Sequence, residues 1–348
     1  GIAEQLFNAV HLWTKRLPGG MAVGTVIMCI IFAASTGVIG ATETVVGLLA
    51  IPAMLRYGYS HKLISGTICA GGSLGTIIPP SVVVVIMGPI ANVSIGDLFT
   101  ASFVPGLMLA SFYVIYVLAQ AYMNHDLAPV ADYEEVTSEE VKRLIKALTL
   151  PLLVVVFVLG SIYGGIASVT EASAVGVFGV TLSTVLRGEF SWGMLMGAAR
   201  QTLSTVGMIV WIGVGATALV GVFSLMGGIR FVDALITGIS DNRVVILLFM
   251  MAILFVLGMF LDWVGIALLT LPIFVPVVTE LGYDPICMNM QVSFLSPPFG
   301  PAAFYLKSVA PNDISLGEIF TALLPFIAMQ VLAVTMLIMF PGIAVGAG

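Results

Sequence analysis

The chain has 348 residues, of which 59% are hydrophobic and only 9% are charged. Soluble domains carry about a quarter charged residues, so this composition excludes a soluble globular enzyme. Continuous apolar runs, long enough for the ~20 residues of a membrane-spanning helix, recur from Met21 to Phe340 and exclude an outer-membrane barrel. The formal net charge is −6, and the excess of acids corresponds to six that lie in one loop: Asp126, Asp132, Glu134, Glu135, Glu139 and Glu140. The sequence therefore predicts an all-α polytopic protein of the lipid bilayer.

The first part of the chain is expected to open with an amphipathic connector over residues 1–20, which follows a missing N-terminal part. Residues 21–123 are predicted to form a first repeat of a transport domain, with a hairpin over 63–90. The run Leu63–Ile90 has 28 residues, too many for one span and too few for two. Because Pro79 and Pro80 stop any helix in its middle, we expect a hairpin that enters and leaves on one side of the membrane.

The second part begins with an acidic loop and a short amphipathic helix, predicted over residues 124–147. Residues 148–243 are predicted to form scaffold helices and a connector. A second repeat of the transport domain is expected over residues 244–341. Its hairpin, residues 286–310, centres on Ser296-Pro297-Pro298.

Two segments roughly 220 residues apart carry the same order of unusual residues, which indicates an internal repeat. The matched pairs are Leu48–Pro52 with Leu268–Pro272, Gly58-Tyr59 with Gly282-Tyr283, Ile78–Pro80 with Ser296–Pro298, and Ser94–Ala101 with Ser315–Ala322. Each copy runs broken span, hairpin, span, and an odd number of crossings between the copies would give them opposite orientations. Such inverted repeats are typical of secondary transporters. A duplicated bundle without a transport role is disfavoured, because broken helices expose backbone groups that lipid cannot satisfy.

The second hairpin has a shorter first arm than the first hairpin. Tyr59 and Pro79 are 20 residues apart, whereas Tyr283 and Pro297 are 14 residues apart. Either the repeat has diverged at this point, or residues are missing just before Cys287.

Three acids lie within membrane spans or at their ends, where each charge costs roughly 2.5 kcal/mol or more and needs a reason. Glu43 follows the break Ser35-Thr36-Gly37, Asp262 lies at the corresponding break of the second repeat, and Glu171 begins a later span. Unwound backbone beside a carboxylate offers the oxygen ligands that a desolvated Na⁺ requires, so Asp262 and Glu43 are predicted Na⁺ ligands. The alternative is that each acid caps the N-terminus of a half-helix.

The hairpin tips supply further candidate ligands. Small hydroxyl residues beside glycine let carbonyl groups approach an ion, and the N-termini of hairpin helices present N–H groups to an anion. The predicted Na⁺ ligands at the tips are Ser73, Gly75, Thr76 and Gly300. The predicted substrate contacts are Ser35, Thr36, Pro80, Ser81, Ser296 and Pro297. The alternative for each Gly and Pro is a role in the turn alone, and Lys307 is predicted either to contact substrate or to extend to the membrane surface.

Five ordered motifs, which together cover essentially the whole chain, resemble those of a known family. They are Arg16–Gly20, Gly71–Ser81, Val93–Phe99, Gly165–Ala172 and Gly258–Asp262. In these motifs the chain resembles the large membrane (M) subunit of the tripartite ATP-independent periplasmic (TRAP) transporters. The resemblance implies an elevator-type, Na⁺-driven carrier of the ion-transporter superfamily in the inner membrane of a bacterium or archaeon.

The same resemblance implies two protein partners, a smaller four-helix membrane subunit and a periplasmic substrate-binding protein. The latter would deliver organic acids such as C4-dicarboxylates, 2-oxo acids or sialic acid. The family's large subunit has further helices before Gly1 and a longer arm before its second hairpin, which favours missing residues as the cause of the short arm. Many members also have Ser-Gly-Ser where this chain has Ser35-Thr36-Gly37.

Two other function classes compete with a carrier. A channel or pore subunit requires a continuous polar stripe through the bilayer, whereas the polar residues of this sequence concentrate at two hairpins and two breaks. An integral-membrane enzyme requires a reactive set, and no Ser or Cys nucleophile in the sequence has a nearby base. Gly71–Gly75 also lacks the Lys-Ser/Thr ending of a nucleotide-binding loop. The leading hypothesis is therefore a Na⁺-coupled secondary transporter of an organic acid anion.

Overall fold

The structure is a computed structural model that describes residues 7, 10–11, 14, 17–36, 39–129, 138–238, 240, 242–261, 263–282 and 300–345. Regular secondary structure in these residues is entirely helical. Four of the helices described are long and apolar enough to cross a membrane. The predicted all-α polytopic class is therefore confirmed for the described part of the chain.

The first repeat consists of five helices. They are α1 (Gly20–Thr36), α2 (Ile39–Arg56), α3 (His61–Ser73), α4 (Val82–Ala91) and α5 (Ile95–Met123). A 3₁₀ turn, Leu74–Thr76, follows α3. With 13 and 10 residues, α3 and α4 are only about 20 and 15 Å long, so neither crosses a hydrocarbon core of about 30 Å. These lengths agree with the predicted hairpin.

Four helices connect the repeats. They are α6 (Ser138–Tyr163), α7 (Val169–Leu186), α8 (Trp192–Leu225) and α9 (Gly228–Thr237). The sequence predicts a short helix that ends near Lys146 and a separate span from Leu148, but α6 runs without a break from Ser138 to Tyr163 and passes through Pro151. The predicted span from Gln201 begins earlier, because the Met194 N–H donates to Ser191 Oγ at 3.1 Å and caps α8 there.

The second repeat follows the same order in its described parts. Its helices are α10 (Arg243–Gly258), α11 (Trp263–Glu280), α12 (Pro301–Val309) and α13 (Leu316–Met339), with a final turn α14 (Gly342–Val345). Helix α12 occupies the position predicted for the return arm of the second hairpin. The first arm of that hairpin, including the tip Ser296-Pro297-Pro298 and its shorter length, lies outside the described residues.

Helix α3 is the centre of the described fold. It packs against α1, α2, α5, α12 and α13, and every residue from Leu63 to Ser73 is buried. Its interior position follows from its composition, because small residues such as Gly66, Ala70 and Gly71 let neighbouring helices approach closely. The first hairpin arm is therefore held by both repeats.

Helices of the two predicted repeats pack against each other reciprocally. Helix α2 of the first repeat packs against α12, the return arm of the second hairpin, and α11 of the second repeat packs against α4, the return arm of the first. Helices α2 and α12 approach closely at two glycines of α2. A methyl group on Gly40 would lie 2.8 Å from Tyr305 Cζ, and one on Gly47 would lie 2.9 Å from Val309 Cγ2. The return arm of each predicted hairpin thus packs against the helix that follows the break in the other predicted repeat, α12 against α2 and α4 against α11.

The repeated Ser-x-x-acid motif begins equivalent helices in the two repeats. The Asp97 N–H donates to Ser94 Oγ at 3.3 Å at the start of α5, and the Glu318 N–H donates to Ser315 Oγ at 3.2 Å at the start of α13. Lys307 supports the turn before α13, because its Nζ donates to the Ile314 carbonyl at 2.7 Å. The two roles predicted for Lys307, contact with substrate or extension to the membrane surface, stay predictions, and this hydrogen bond depends on a turn geometry that the sequence does not reveal.

Because α3 is tightly packed, a glycine-to-alanine substitution in α3 should destabilise the protein more than one at an open position of α6. A methyl group on Gly66 would lie 2.6 Å from the buried Phe326 ring, which already meets Tyr113 edge-on at a centroid distance of 5.2 Å. We expect Gly66→Ala to lower the free energy of unfolding by about 1–3 kcal/mol, measured as a lower midpoint of thermal unfolding in detergent. Gly160→Ala is the control, because a methyl group there meets nothing within 4 Å. Equal shifts in the two variants would contradict the central position of α3.

Candidate functional site

Glu43 is a completely buried acid in the first two turns of α2, with 0% of its surface exposed. Neither Oε1 nor Oε2 has a hydrogen-bond partner among the residues that the structure describes. A methyl group on Gly72, in α3, would clash with Glu43 Cγ and lie 2.9 Å from Oε1. The carboxyl group is therefore packed directly against the end of the first hairpin arm.

The surroundings of Glu43 disfavour an uncompensated negative charge. Burial of a carboxylate without a partner costs several kcal/mol. Gly72 is the next-to-last residue of α3, and the C-terminal end of a helix favours a cation over an anion. The thiols of Cys29 and Cys69 lie within electrostatic range of Glu43, but thiols supply no positive charge. A carboxyl group in this place is stable when a cation, either H⁺ or Na⁺, neutralises it.

Hydroxyl-to-carbonyl hydrogen bonds connect the residues at the tip of the first hairpin. Ser73 Oγ donates to the Ala70 carbonyl at 2.7 Å, Thr76 Oγ1 donates to the Ser73 carbonyl at 2.7 Å, and Ser81 Oγ donates to the Thr76 carbonyl at 2.6 Å. Because each hydroxyl gives its proton to a carbonyl, lone pairs on its oxygen stay available to a cation. All three side chains are buried.

Two further predicted residues complete this tip. Gly75 is buried in the 3₁₀ turn, and Pro80 directly precedes Ser81. The structure therefore brings Ser73, Gly75 and Thr76 together next to Gly72 and Glu43. Their roles as ligands remain predictions.

The return arms of both hairpins begin without a side-chain cap. Ser81 precedes α4, and its side chain accepts no hydrogen bond from the first turn; Gly300 precedes α12 and has no side chain that could accept one. Serine side chains do cap α5, α7, α8 and α13. Gly300 is buried, and Cys69 Sγ of α3 lies 3.6 Å from the Ala302 carbonyl. The first turn of α12 thus lies beside the hairpin arm that contacts Glu43. Pro301 has no N–H and the Ala303 N–H donates to the Gly300 carbonyl at 3.1 Å, so the Ala302 N–H is the first-turn donor that can favour an anion there.

Glu171 belongs to a helix cap. The backbone N–H and the hydroxyl of Ser168 both donate to Glu171 Oε2 at 2.8 Å, and the Glu171 N–H donates to Ser168 Oγ at 3.3 Å. This reciprocal arrangement is a capping box, and the residue is exposed. The capping alternative is therefore confirmed for Glu171, and the structure does not support an ion-binding role for it.

Several predicted site residues lie outside what the structure describes. Asp262, Ser296 and Pro297 are among them, and so are the side chains of Ser35 and Thr36 at the end of α1. The sequence analysis did not predict two residues near the first tip, Tyr113 and Gln330. The Tyr113 hydroxyl faces the side chains of Ser73 and Gln330. A tyrosine and a glutamine within the apolar helices α5 and α13 were the available signal.

Residues 1–343 match the family described as "Tripartite ATP-independent periplasmic transporter, DctM component". The chain is similar to the isethionate TRAP transporter permease protein DctMQ of Oleidesulfovibrio alaskensis, with 30% identity over 95% of this chain and 52% of that protein. It therefore spans about half the length of that relative.

Two further relatives are matched over most of their length. The C4-dicarboxylate TRAP transporter large permease protein DctM of Pseudomonas aeruginosa is 29% identical over 99% of this chain and 81% of its own. The ectoine TRAP transporter large permease protein TeaC of Halomonas elongata is 30% identical over 98% of this chain and 80% of its own. Similarity along the full chain therefore extends to relatives named for chemically different substrates.

The contact between Glu43 and Gly72 predicts coupling between substitutions at these two positions. We expect Gly72→Ala to lower the free energy of unfolding by about 1–3 kcal/mol, because the added methyl group overpacks the carboxyl side chain. Glu43→Ala in the same chain should recover most of this loss, since it removes the atoms that clash. Thermal unfolding of the two single variants, the double variant and the parent chain forms a double-mutant cycle. Strictly additive effects would show that the two residues do not meet.

Proposed function

Because the chain belongs to the family of DctM components of tripartite ATP-independent periplasmic transporters, we propose that it couples the uptake of an organic acid anion to Na⁺. Its relatives are large permease proteins, so the chain is a multi-pass transport component of the inner membrane and not an enzyme. Because the family consists of transporter components, the alternative of a channel or pore subunit is not favoured. The observation that carries the proposal is the buried, unpartnered carboxyl group of Glu43 against the first hairpin.

A monovalent cation suits the oxygen atoms at this place. Within the described residues, no group of three His, Cys, Asp or Glu side chains could hold a metal ion, so the region lacks the usual donor set for a transition metal. Hard cations bind carboxylate, carbonyl and hydroxyl oxygens. In our proposal Na⁺ binds near Glu43 through oxygens of Ser73, Gly75 and Thr76. Asp262 and Gly300 supply the corresponding ligands of the second repeat.

The proposed substrate is an anion of the C4-dicarboxylate, 2-oxo acid or sialic acid class. The uncapped first turn of α4 and the Ala302 N–H at the start of α12 support this choice, because first-turn N–H groups can replace the hydration of a carboxylate. Contacts are proposed for Pro80 and Ser81 at the first tip, Ser296 and Pro297 at the second, and Ser35 and Thr36 at the end of α1. Bound Na⁺ would supply the missing positive charge, so each ligand should strengthen the binding of the other by the same factor.

An elevator movement of two inverted repeats is proposed as the transport mechanism. The reciprocal packing of α2 with α12 and of α11 with α4 supports a pseudo-two-fold relation between the repeats. In such a movement the hairpins and their partner helices travel as one body against helices α6–α8. Since each hairpin packs on the other repeat, binding at either tip acts on the same body.

Two protein partners are proposed, the smaller four-helix membrane subunit and the periplasmic substrate-binding protein. In the most apolar windows of α7 and α8, only 11% and 6% of the residues are buried within this chain. Such faces suit lipid or the helices of another membrane subunit. The binding protein would deliver the organic acid to the hairpin tips from the periplasm.

The ion-binding role predicts different behaviour of two acid-to-amide variants. Glu43→Gln keeps the shape of the side chain but removes the charge that offsets a bound cation. We expect it to raise the Na⁺ concentration for half-maximal uptake by about tenfold or more, which corresponds to ~1.4 kcal/mol. Uptake of radiolabelled organic acids is measured in proteoliposomes that contain the complete transporter and its binding protein.

Glu171→Gln is the matched control, because Glu171 caps α7 at an exposed position. Its Na⁺ dependence should equal that of the parent chain. If Glu43→Gln also kept the parental Na⁺ dependence, Glu43 would have no part in ion coupling.

A further inference from the structure

A buried tyrosine of α5 faces Ser73, the last residue of α3. Tyr113 has 0% of its surface exposed, and its hydroxyl faces the side chains of Ser73 and of Gln330 in α13. A buried hydroxyl costs free energy when it lacks a hydrogen bond. The Tyr113 hydroxyl forms no fully aligned hydrogen bond with the described residues. The two side chains that it faces are therefore the groups that can offset this cost.

The direction of donation among these groups follows from the number of their protons. Ser73 Oγ donates its only proton to the Ala70 carbonyl at 2.7 Å, so towards Tyr113 it can only accept. The Tyr113 hydroxyl also has one proton, which it can give to Ser73. Its lone pairs are then left for the amide N–H groups of Gln330. Donation therefore runs from α13 through α5 to α3.

We propose that Tyr113 and Gln330 are positioning residues for the proposed Na⁺ site. Ser73 Oγ has two lone pairs, and donation from Tyr113 to one of them fixes the direction of the other, which is free for a cation. Neither Tyr113 nor Gln330 touches the ion in this arrangement, since both act through Ser73. The inference rests on the proposed function, because it takes Ser73 as a Na⁺ ligand.

The same side chains connect the first tip to the second predicted repeat. Helix α3 packs against both α5 and α13, and the Tyr113 ring meets the ring of Phe326 in α13 edge-on at a centroid distance of 5.2 Å. Phe326 precedes Gln330 by four residues, so both side chains lie on one face of α13. One side chain from each predicted repeat thereby holds Ser73 in place.

A hydroxyl-to-hydrogen substitution tests the role of Tyr113. Tyr113→Phe keeps the ring and removes the donor to Ser73. The concentration for half-maximal binding of radiolabelled Na⁺ is measured on the complete transporter in detergent. We expect it to rise about fivefold, the effect of one neutral hydrogen bond, while the amount of Na⁺ bound at saturation stays the same.

Tyr116→Phe is the matched control. Tyr116 lies on the same helix, and its ring also meets Phe326 edge-on, at a centroid distance of 5.1 Å. Among the described residues its hydroxyl has no hydrogen-bonding contact with Ser73. The half-maximal Na⁺ concentration of Tyr116→Phe should therefore equal that of the parent chain.

Double-mutant cycles separate positioning from a general loosening of the packing. If Tyr113 acts through Ser73, Tyr113→Phe should have no further effect on Na⁺ binding in a chain that carries Ser73→Ala. Gln330→Leu should raise the half-maximal Na⁺ concentration by about two- to threefold, and this effect should vanish in a chain that carries Tyr113→Phe. The second cycle leaves Ser73 intact, so it gives the test even where Ser73→Ala binds no measurable Na⁺.

The outcomes that contradict the inference differ from those that contradict the proposed function. Additive effects in the cycles, or parental Na⁺ binding in Tyr113→Phe, would overturn the inference and leave Na⁺ coupling in place. A parent chain that binds no Na⁺ would overturn both. The thermal midpoint confirms that each variant is folded, and Gln330→Leu carries the test if Tyr113→Phe is not.

Discussion

The first hairpin depends on one electrostatic constraint, a buried carboxyl group at the C-terminal end of a helix. Glu43 lies against Gly72 with both oxygens unpartnered among the described residues, and the helix end adds to the cost of a negative charge there. The described residues supply no hydrogen bond that offsets this cost, so in our proposal a cation offsets it. Because the carboxyl packs directly on α3, the binding of that cation and the position of the hairpin arm are linked.

Helix α2, which carries Glu43, also contacts helix α12 of the second predicted repeat. One face of α2 carries Glu43 together with Gly40 and Gly47, and these two glycines let α12 approach closely. The first turn of α12 is uncapped, as is that of α4. Cation-favouring and anion-favouring groups therefore occur on helices that touch each other, which is the arrangement a coupled carrier of Na⁺ and a carboxylate needs.

Much of the fold could be predicted because its signals are local. Pro79 and Pro80 mark the turn of the first hairpin, and Ser94 and Ser315 begin equivalent helices in both repeats. Even the role of Glu171 was present in the sequence, since Ser168 three residues earlier makes a capping box. The contact of Glu43 with Gly72 and the position of Lys307 could not be predicted, because each depends on how distant segments meet. For Asp262 and the second tip, the sequence prediction stands alone.

The most direct test of the proposed coupling uses a thiol beside Glu43. Cys69 is buried and free, and Cys29→Ser with Cys287→Ser leaves it as the single cysteine of the chain. The rate at which a small mercurial modifies Cys69 is measured in proteoliposomes with Na⁺, K⁺ or choline at equal ionic strength. If a cation fixes the hairpin against Glu43, Na⁺ should slow the modification and the other two cations should not. Equal rates in all three solutions would contradict the coupling of cation binding to the first hairpin.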